Sequence, residues 1–370
     1  MIMICFINRT SVDYDIRLQK YVQACLASQV PYYVIGWDRD GQCSKVFPNE
    51  YQYKAKAPYG GGWKNIVPLI GWMFFLWYHL IKLWGNYKVI HACNIENCMA
   101  SFPFKLFGKK MVMDIYDTVK PDLEAKVAKR IDGLILPSDV RLKQVGIKKE
   151  DCKHYIEVEN VPFFSQEVKR KTTVEFPEII HLAYVGVMQR EIRGIENVIE
   201  LVKRDERFVF EIAGTGDGMD EELKQAAKGC PRIKYYGKVD YGRALQMEND
   251  ADFIVAMYYL KAKVHEYASP NKYYESLYLG KPVITTKGTL VGSNVEKNDT
   301  GYAIGETVED LKELFTNISS AGFLKDYQKK VTNCERLWNE CYKDYYKNVT
   351  GGYLIMMKEI AGFPQSAASV

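Results

Sequence analysis

The chain has 370 residues, 47% of them hydrophobic and 26% charged. This ordinary globular composition excludes a disordered chain, a collagen-like repeat and a small disulfide scaffold, and the length suits two domains that each bury a core. Lys and Arg number 50 against 46 Asp and Glu, a net charge of +4; that is too near neutral for a dedicated duplex-DNA binder, and no nucleic acid is expected as partner.

Residues 2–7 form a short apolar run. They lack a basic leader and a cleavage site, so they read as a first strand and not a signal peptide. Helical spacing follows over 17–27, and Pro31 opens a strand over 32–37. Further strands are expected at 89–92, 111–116, 133–136 and 155–158, with helices at 121–130 and 138–145. Continuous apolar runs bounded by turns indicate parallel strands covered on both faces, and their alternation with helices implies βαβ units in a doubly wound sheet. Asn160-Val161-Pro162 ends this half, and the polar stretch 166–177 reads as a linker. The theme then restarts. Strands are expected at 179–185, 208–213, 233–236, 253–257 and 282–286, and helices at 195–203, 220–228, 242–249, 271–279 and 308–318. A last helical stretch, 324–357, is long enough to return to the first domain. The boundaries drawn are 1–165, 166–340 and 341–370. Nine cysteines without a C-x-x-C pair indicate a reduced, cytosolic chain.

Three segments of the second half carry chemistry. In the first, a strand ends at Gly186 and a helix begins after Gly194. Glycine admits close backbone approach, a helix start favours an anion, and Arg190 and Arg193 add charge-assisted contacts to phosphate. The other reading is a plain turn with two solvated arginines. Gly214-Thr215-Gly216-Asp217-Gly218 is a glycine-rich turn that can wrap a nucleotide or simply be a turn; it is not a phosphate loop of the G-x-x-x-x-G-K-[ST] type. In the third, Ser269 is placed as N-cap, Pro270 as first helical residue and Gly280 as the stop. Lys272 and Glu275 then share one face. A cation in a first turn opposes the macrodipole, which makes sense if a phosphate sits there with Glu275 deeper, against ribose hydroxyls. The alternative is a surface ion pair worth ~0.2–0.5 kcal/mol.

Together these segments resemble the GT-B glycosyltransferases, specifically their retaining family 4, over nearly the whole chain. Gly186 with Arg193-Gly194 is similar to that family's donor-diphosphate signature. Pro270, Lys272 and Glu275 before Gly280-Lys281-Pro282-Val283-Ile284 are similar to its donor helix, and Asp299-Thr300-Gly301-Tyr302 to its next segment. Asp15-Ile16-Arg17, Val89-Ile90-His91-Ala92 and Asn160-Val161-Pro162 match landmarks of its first half. Three positions depart from the pattern: Tyr267, beside Glu266, replaces the first of two paired glutamates, Val187 replaces an arginine, and Tyr116 stands near an expected histidine.

The resemblance implies an α/β fold of two Rossmann-like domains with parallel sheets facing a central cleft. The C-terminal helix returns to the N-terminal, acceptor-binding domain. It implies transfer with retention from a UDP- or GDP-linked sugar to a saccharide or polyprenyl-diphosphate-linked acceptor, in making cell-surface polysaccharide or glycolipid. Arg193 and Lys272 would hold the departing diphosphate and Glu275 the ribose. Gly186, Arg190, Gly214, Gly216, Ser269 and Asn271 would line the donor, and His91 would face substrate, unless it is a structural histidine. No metal or cofactor is required. Asp13-Tyr14-Asp15 and Asp38-Arg39-Asp40 match the metal-holding triplet of the other glycosyltransferase fold, but the latter reads as a turn after a strand. Two alternatives are a non-hydrolysing nucleotide-sugar 2-epimerase on the same scaffold and a non-catalytic nucleotide-binding partner of a polysaccharide assembly complex.

Residues 66–83 are almost wholly apolar and flanked by Lys64, Lys82 and Trp84. They approach the shorter limit of a membrane span, but Pro68, Gly71 and His79 argue against spanning. Two readings stand: a wholly buried helix, or a helix in the bilayer interface with 63–84 as the membrane contact. Between positions 51 and 110, eight lysines (54, 56, 64, 82, 88, 105, 109, 110) face one acid, Glu96. This excess fits the interfacial reading and a place on the cytoplasmic face of the inner membrane.

Overall fold

The computed structural model describes residues 3–10, 12, 15–39, 41, 45–57, 62–162, 168–171, 178–316 and 318–363. Asp13, Tyr14, Asp40 and most of the linker 166–177 lie outside the described residues. The chain divides into two compact units, Met1–Phe163 with Asp344–Val370, and Phe164–Lys343.

The first unit contains β1 (Ile4–Asn8), α1 (Ile16–Ala27), β2 (Tyr32–Asp38), β3 (Glu50–Lys54), α2 (Ile66–Lys82), β4 (Val89–Cys93), α3 (Asn94–Leu106), β5 (Lys110–Asp114), α4 (Pro121–Ala128), β6 (Gly133–Leu136), α5 (Arg141–Val145) and β7 (Tyr155–Glu157). The sheet runs β3-β2-β1-β4-β5-β6-β7 with parallel pairing throughout. Every residue of β1 and β4 is buried, as strands covered on both faces require. Helices α2 to α5 pack on one face. The other is covered by α1 and by the last helix, which the chain supplies after leaving the second unit. A side chain on Gly133 would stand 2.8 Å from Ile360 Cδ1 of that returning helix, so the glycine is the condition for its close approach.

The second unit contains β8 (Ile180–Val185), α6 (Ile195–Arg204), β9 (Phe208–Ala213), α7 (Asp220–Gly229), β10 (Ile233–Tyr235), α8 (Tyr241–Asp250), β11 (Phe253–Ala256), α9 (Asn271–Leu279), β12 (Val283–Thr286), α10 (Leu290–Asn298), β13 (Gly301–Ile304), α11 (Val308–Phe315) and α12 (Ala321–Leu337). Its sheet, also parallel, runs β10-β9-β8-β11-β12-β13. In both sheets the strand order reverses once, between β1 and β4 and between β8 and β11. Open parallel sheets bind ligands beyond the carboxyl ends of the strands at such a reversal.

Two expectations need correction. The stretch 324–357 is not one helix: α12 ends at Leu337, a π-turn occupies Trp338–Tyr342, and α13 (Tyr345–Ile360) follows. Trp338 and Tyr342 stack edge-on against Tyr278 and Tyr274 of α9, and that packing holds the break. Nor is α2 wholly buried. Trp72, Leu76, His79 and Leu80 face the core, and most of its other apolar residues are exposed. Pro68 lies in its first turn, where a missing N–H costs nothing. Gly71 lies so close to Tyr53 that a Cβ would stand 2.0 Å from its hydroxyl oxygen.

Candidate active site

The end of β8 opens into Gly186, whose φ of 145° is in the range glycine tolerates best. The space a side chain would take is occupied from the other side: a Cβ on Gly186 would meet Lys272 Cε and Nζ at 3.5 Å. Lys272 comes from the first turn of α9. Two motifs far apart in sequence therefore meet, with an ammonium lying on the backbone at the reversal point of the second sheet.

Helix α9 spans the expected 271–279, but its cap differs from the one the sequence suggests. Pro270 is extended at ψ 147° and precedes Asn271, the first helical residue; no side chain caps the helix. Ser269 is thus not the N-cap, and its hydroxyl lies 3.4 Å from Tyr274 Oη. Gly280 ends the helix at φ 66° as expected. Glu275 is buried on the same face as Lys272 and accepts a 3.0 Å hydrogen bond from Tyr241 Oη of α8.

Arg193 reaches the same place from the β8–α6 loop. Its Nε and Nη2 donate to Gln189 Oε1 at 2.9 and 2.6 Å, and its Cζ lies 4.6 Å from the Tyr258 ring centroid. Lys272 Nζ lies 5.7 Å from the Tyr184 ring centroid. Burial pushes the Tyr184 phenol up to about 12, while Arg193 and Lys272 both pull it down. Both cations therefore act on one ring. Cations here, backbone N–H groups at an uncapped helix start and an acid behind them suit a bound diphosphate carrying hydroxyls.

Other expected site residues sit differently. The Arg190 side chain is exposed and paired with Glu222, and its backbone N–H donates to Asp217 Oδ2 at 3.1 Å. Gly214 and Gly216 are accounted for by backbone packing. A Cβ on Gly214 would stand 1.8 Å from Gly186 O, and one on Gly216 2.2 Å from Met188 O. Gly186 N donates to Ala213 O and Met188 N to Thr215 O, so the glycine-rich turn supports the Gly186 loop.

His91 lies within the first unit's core. It is fully buried among Phe6, Tyr21 and Tyr353, its Nδ1 is 3.0 Å from Tyr353 Oη, and its Nε2 is 3.6 Å from Asp114 Oδ2. Burial lowers its basicity, so the neutral ring is the favoured form. This geometry places it in packing rather than on an exposed surface. The landmarks of the first half join the same network. Arg17 pairs with Asp114 at 2.7 Å and donates to Asn160 Oδ1 at 2.8 Å and to Val158 O. Asp15 caps α1 through Leu18 N at 2.8 Å, and Asp38 Oδ1 accepts from Gly41 N at 2.9 Å, closing the expected turn. Among the described residues no group of three or more His, Cys, Asp or Glu is placed to hold a metal ion.

Sequence reasoning missed Glu248, Tyr241, Tyr184 and Tyr258. Glu248 carried a signal: on α8 it follows Ala244 and Leu245 by four and three residues, an acid on an otherwise apolar face. Its carboxylate lies 3.2 Å from Lys272 Nζ.

Residues 179–320, most of the second unit, match the family described as Glycosyl transferases group 1. Among curated proteins none matches the sequence. Solved structures resemble the whole chain. Sucrose-phosphate synthase from Thermosynechococcus elongatus is 13% identical, with TM-score 0.71 over 97% of this chain and 100% of its own. Anabaena HepE, solved with UDP and glucose, is 12% identical, with TM-score 0.67 over 96% of this chain and 100% of its own. WaaG, a glycosyltransferase involved in lipopolysaccharide biosynthesis, is 11% identical, with TM-score 0.64 over 95% of this chain and 98% of its own. These likenesses establish the GT-B fold expected from the sequence. The second unit carries a glycosyl transferases group 1 domain on that fold, and the two together support glycosyltransferase activity.

Proposed function

We propose that this chain is a retaining, family 4-type glycosyltransferase that moves a sugar from a UDP- or GDP-linked donor to a saccharide or polyprenyl-diphosphate-linked acceptor. The donor binds the second unit, within 166–340, and the acceptor binds within 1–165. The observation that carries this reading is the seating of Lys272 on Gly186 beside Arg193, where the second sheet reverses its strand order. HepE, of the same fold, has been solved with UDP and glucose. WaaG, described as acting in lipopolysaccharide biosynthesis, supports a role in cell-surface polysaccharide or glycolipid.

In this reading Arg193 and Lys272 stabilise the charge that grows on the leaving diphosphate, joined by the backbone N–H at Asn271, the uncapped start of α9. Glu275, held by Tyr241, takes the ribose hydroxyls. The leaving phosphate oxygen accepts the acceptor hydroxyl's proton on the same sugar face, so no protein base is required. No metal is invoked, since Arg193 and Lys272 can carry the diphosphate charge. The exposed apolar stripe of α2 with its lysines rests on the cytoplasmic face of a membrane and brings the enzyme to a lipid-linked acceptor.

Calorimetric titration with UDP and with GDP tests the donor site, followed by a nucleotide-sugar screen by thermal shift. One nucleotide binds the wild type, and Lys272→Ala weakens the binding while EDTA does not. Wild-type protein that binds neither nucleotide would end this reading.

A further inference from the structure

Lys272 already has a partner, a carboxyl that is charged above about pH 8. Glu248 on α8 is almost completely buried, and its Oε1 lies 3.2 Å from Lys272 Nζ. Glu275 sits one turn from Lys272, and its charge acts on the Glu248 carboxyl and raises it. The cluster thus holds two carboxyls and one ammonium in a place almost closed to water. A buried carboxylate that loses its cation is costly to keep charged. The pairing has a second consequence: an ammonium tied to Glu248 is turned away from a ligand until that ligand competes for it.

We propose that Glu248 is a positioning residue of this site, a built-in counter-anion that holds Lys272 against Gly186 while the site is empty and yields it to the diphosphate of an arriving nucleotide. This inference rests on the donor-site reading above. As Lys272 turns to the phosphate, Glu248 takes up a proton and becomes a neutral partner hydrogen-bonded to Glu275. The proton comes from solvent and no covalent bond to carbon changes.

Electrostatics supports the exchange. Burial, and then the Glu275 carboxylate, push the Glu248 carboxyl up to about 8, while Lys272 pulls it back. Removing that pull and adding phosphate charge nearby raises it further, so binding is accompanied by proton uptake. Other titratable and charged groups face the cluster. Lys272 is held above its ordinary value by Glu248 and Glu275, and Tyr241 and Tyr184 are pushed up by burial. Arg193 acts on the Tyr184 phenol, and Tyr258 acts on both Tyr184 and Lys272. Lys281, lowered to about 8, answers to burial and to Asp252, Lys171 and Asp250.

The test is UDP and GDP binding by calorimetry from pH 7 to 9, in buffers of different ionisation enthalpy. Above pH 7 the nucleotide's terminal phosphate is already ionised (second pKa ≈ 6), so it contributes little uptake. Wild-type protein takes up about half a proton on binding at pH 8, and its affinity falls up to about tenfold per unit above that pH. Glu248→Gln, which keeps shape and hydrogen bonding, binds with an affinity flat in pH and about tenfold tighter than wild type at pH 9. Should Glu248→Gln fail to fold, wild-type proton uptake alone decides. Binding without proton uptake, or a Glu248→Gln protein that keeps the wild-type pH slope, overturns this inference and leaves the donor site standing. Absence of any nucleotide binding removes both.

Discussion

Gly214 and Gly186 stand so close that a single methyl group on the first would be driven into the backbone of the second: the added Cβ would lie 1.8 Å from the Gly186 carbonyl oxygen. The obstacle is main chain, which no rotamer relieves, and Gly214 holds φ 132°, strained for any other residue. Gly214→Ala is therefore expected to destabilise the second unit by ~3 kcal/mol or more, from overpacking and backbone strain together. Urea unfolding checks this. Gly218→Ala is the control, since a Cβ there meets nothing within 4 Å although its φ is 65°, and it should cost ~1 kcal/mol. Equal costs at the two positions would mean that the clash relaxes.

Glu275 separates ribose contact from charge stabilisation. Glu275→Gln keeps the hydrogen bond from Tyr241 but accepts less strongly from hydroxyls. It is expected to raise the donor KM about tenfold with a smaller fall in kcat, since ribose contacts are made in ground and transition states alike. Lys272→Ala, whose target charge grows as the bond breaks, is expected to lower kcat 10²–10³-fold, by analogy with lost oxyanion donors. Steady-state kinetics with the screened donor distinguishes them. The same kinetic split for both variants would refute the separate roles.

These two residues also mark how far the sequence reads. Helix α9 was bounded correctly at both ends because Pro270 and Gly280 punctuate it, even though Ser269 does not cap it. Most strands were legible as continuous apolar runs, the signature of a sheet buried on both sides. Strand β3 was not: Glu50–Lys54 alternates tyrosines with polar residues and forms the sheet edge, so it resembled the aromatic, basic window around it. Glycine patterns were ambiguous for a physical reason. A glycine that admits a ligand and one that admits a neighbouring backbone look alike, and Gly214 and Gly216 are of the second kind here. Glu248 stayed hidden because burial is not written in its type; it had to be inferred from an acid on an apolar helical face.

The Arg17–Asp114 pair gives a pH dependence of stability. Burial would raise the Asp114 carboxyl, but the Arg17 guanidinium outweighs it and, with His91 nearby, holds it down at about 2. The group is depressed on folding, so its contribution is fully present above its unfolded value near 4 and is lost as pH falls toward 2; it amounts to about 2 kcal/mol. Asp114→Asn should lose ~3–5 kcal/mol at pH 7, because it leaves Arg17 charged and unpaired in the interior. Thermal or urea unfolding between pH 2.5 and 7 should show a smaller acid-induced loss in Asp114→Asn than in wild type. Parallel curves would mean that other groups govern the acid limb.

On α2, Val67, Ile70, Phe74, Tyr78 and Ile81 recur at helical spacing and are all exposed, Val67 at 77% and Phe74 at 70%. Trp63 at 89% extends the stripe, and Leu106 and Phe107 at 76% and 74% are exposed at the end of α3. A soluble surface rarely leaves so much apolar area in one run without a partner. No helix among the described residues is long and apolar enough to cross a membrane, and the proposed contact is a helix lying on the surface. Lys64 and Lys82 flank the stripe, and each lysine near an anionic surface adds ~1 kcal/mol. Phe74→Glu combined with Ile81→Glu should lower binding to vesicles containing anionic lipid at least tenfold, since burying one such side chain is worth ~1.5–3 kcal/mol. The melting temperature should not fall, because neither side chain contributes to the core. Raising the salt should weaken wild-type binding without abolishing it, as the apolar part is unscreened. Full retention of vesicle binding in the double variant would remove α2 as the contact.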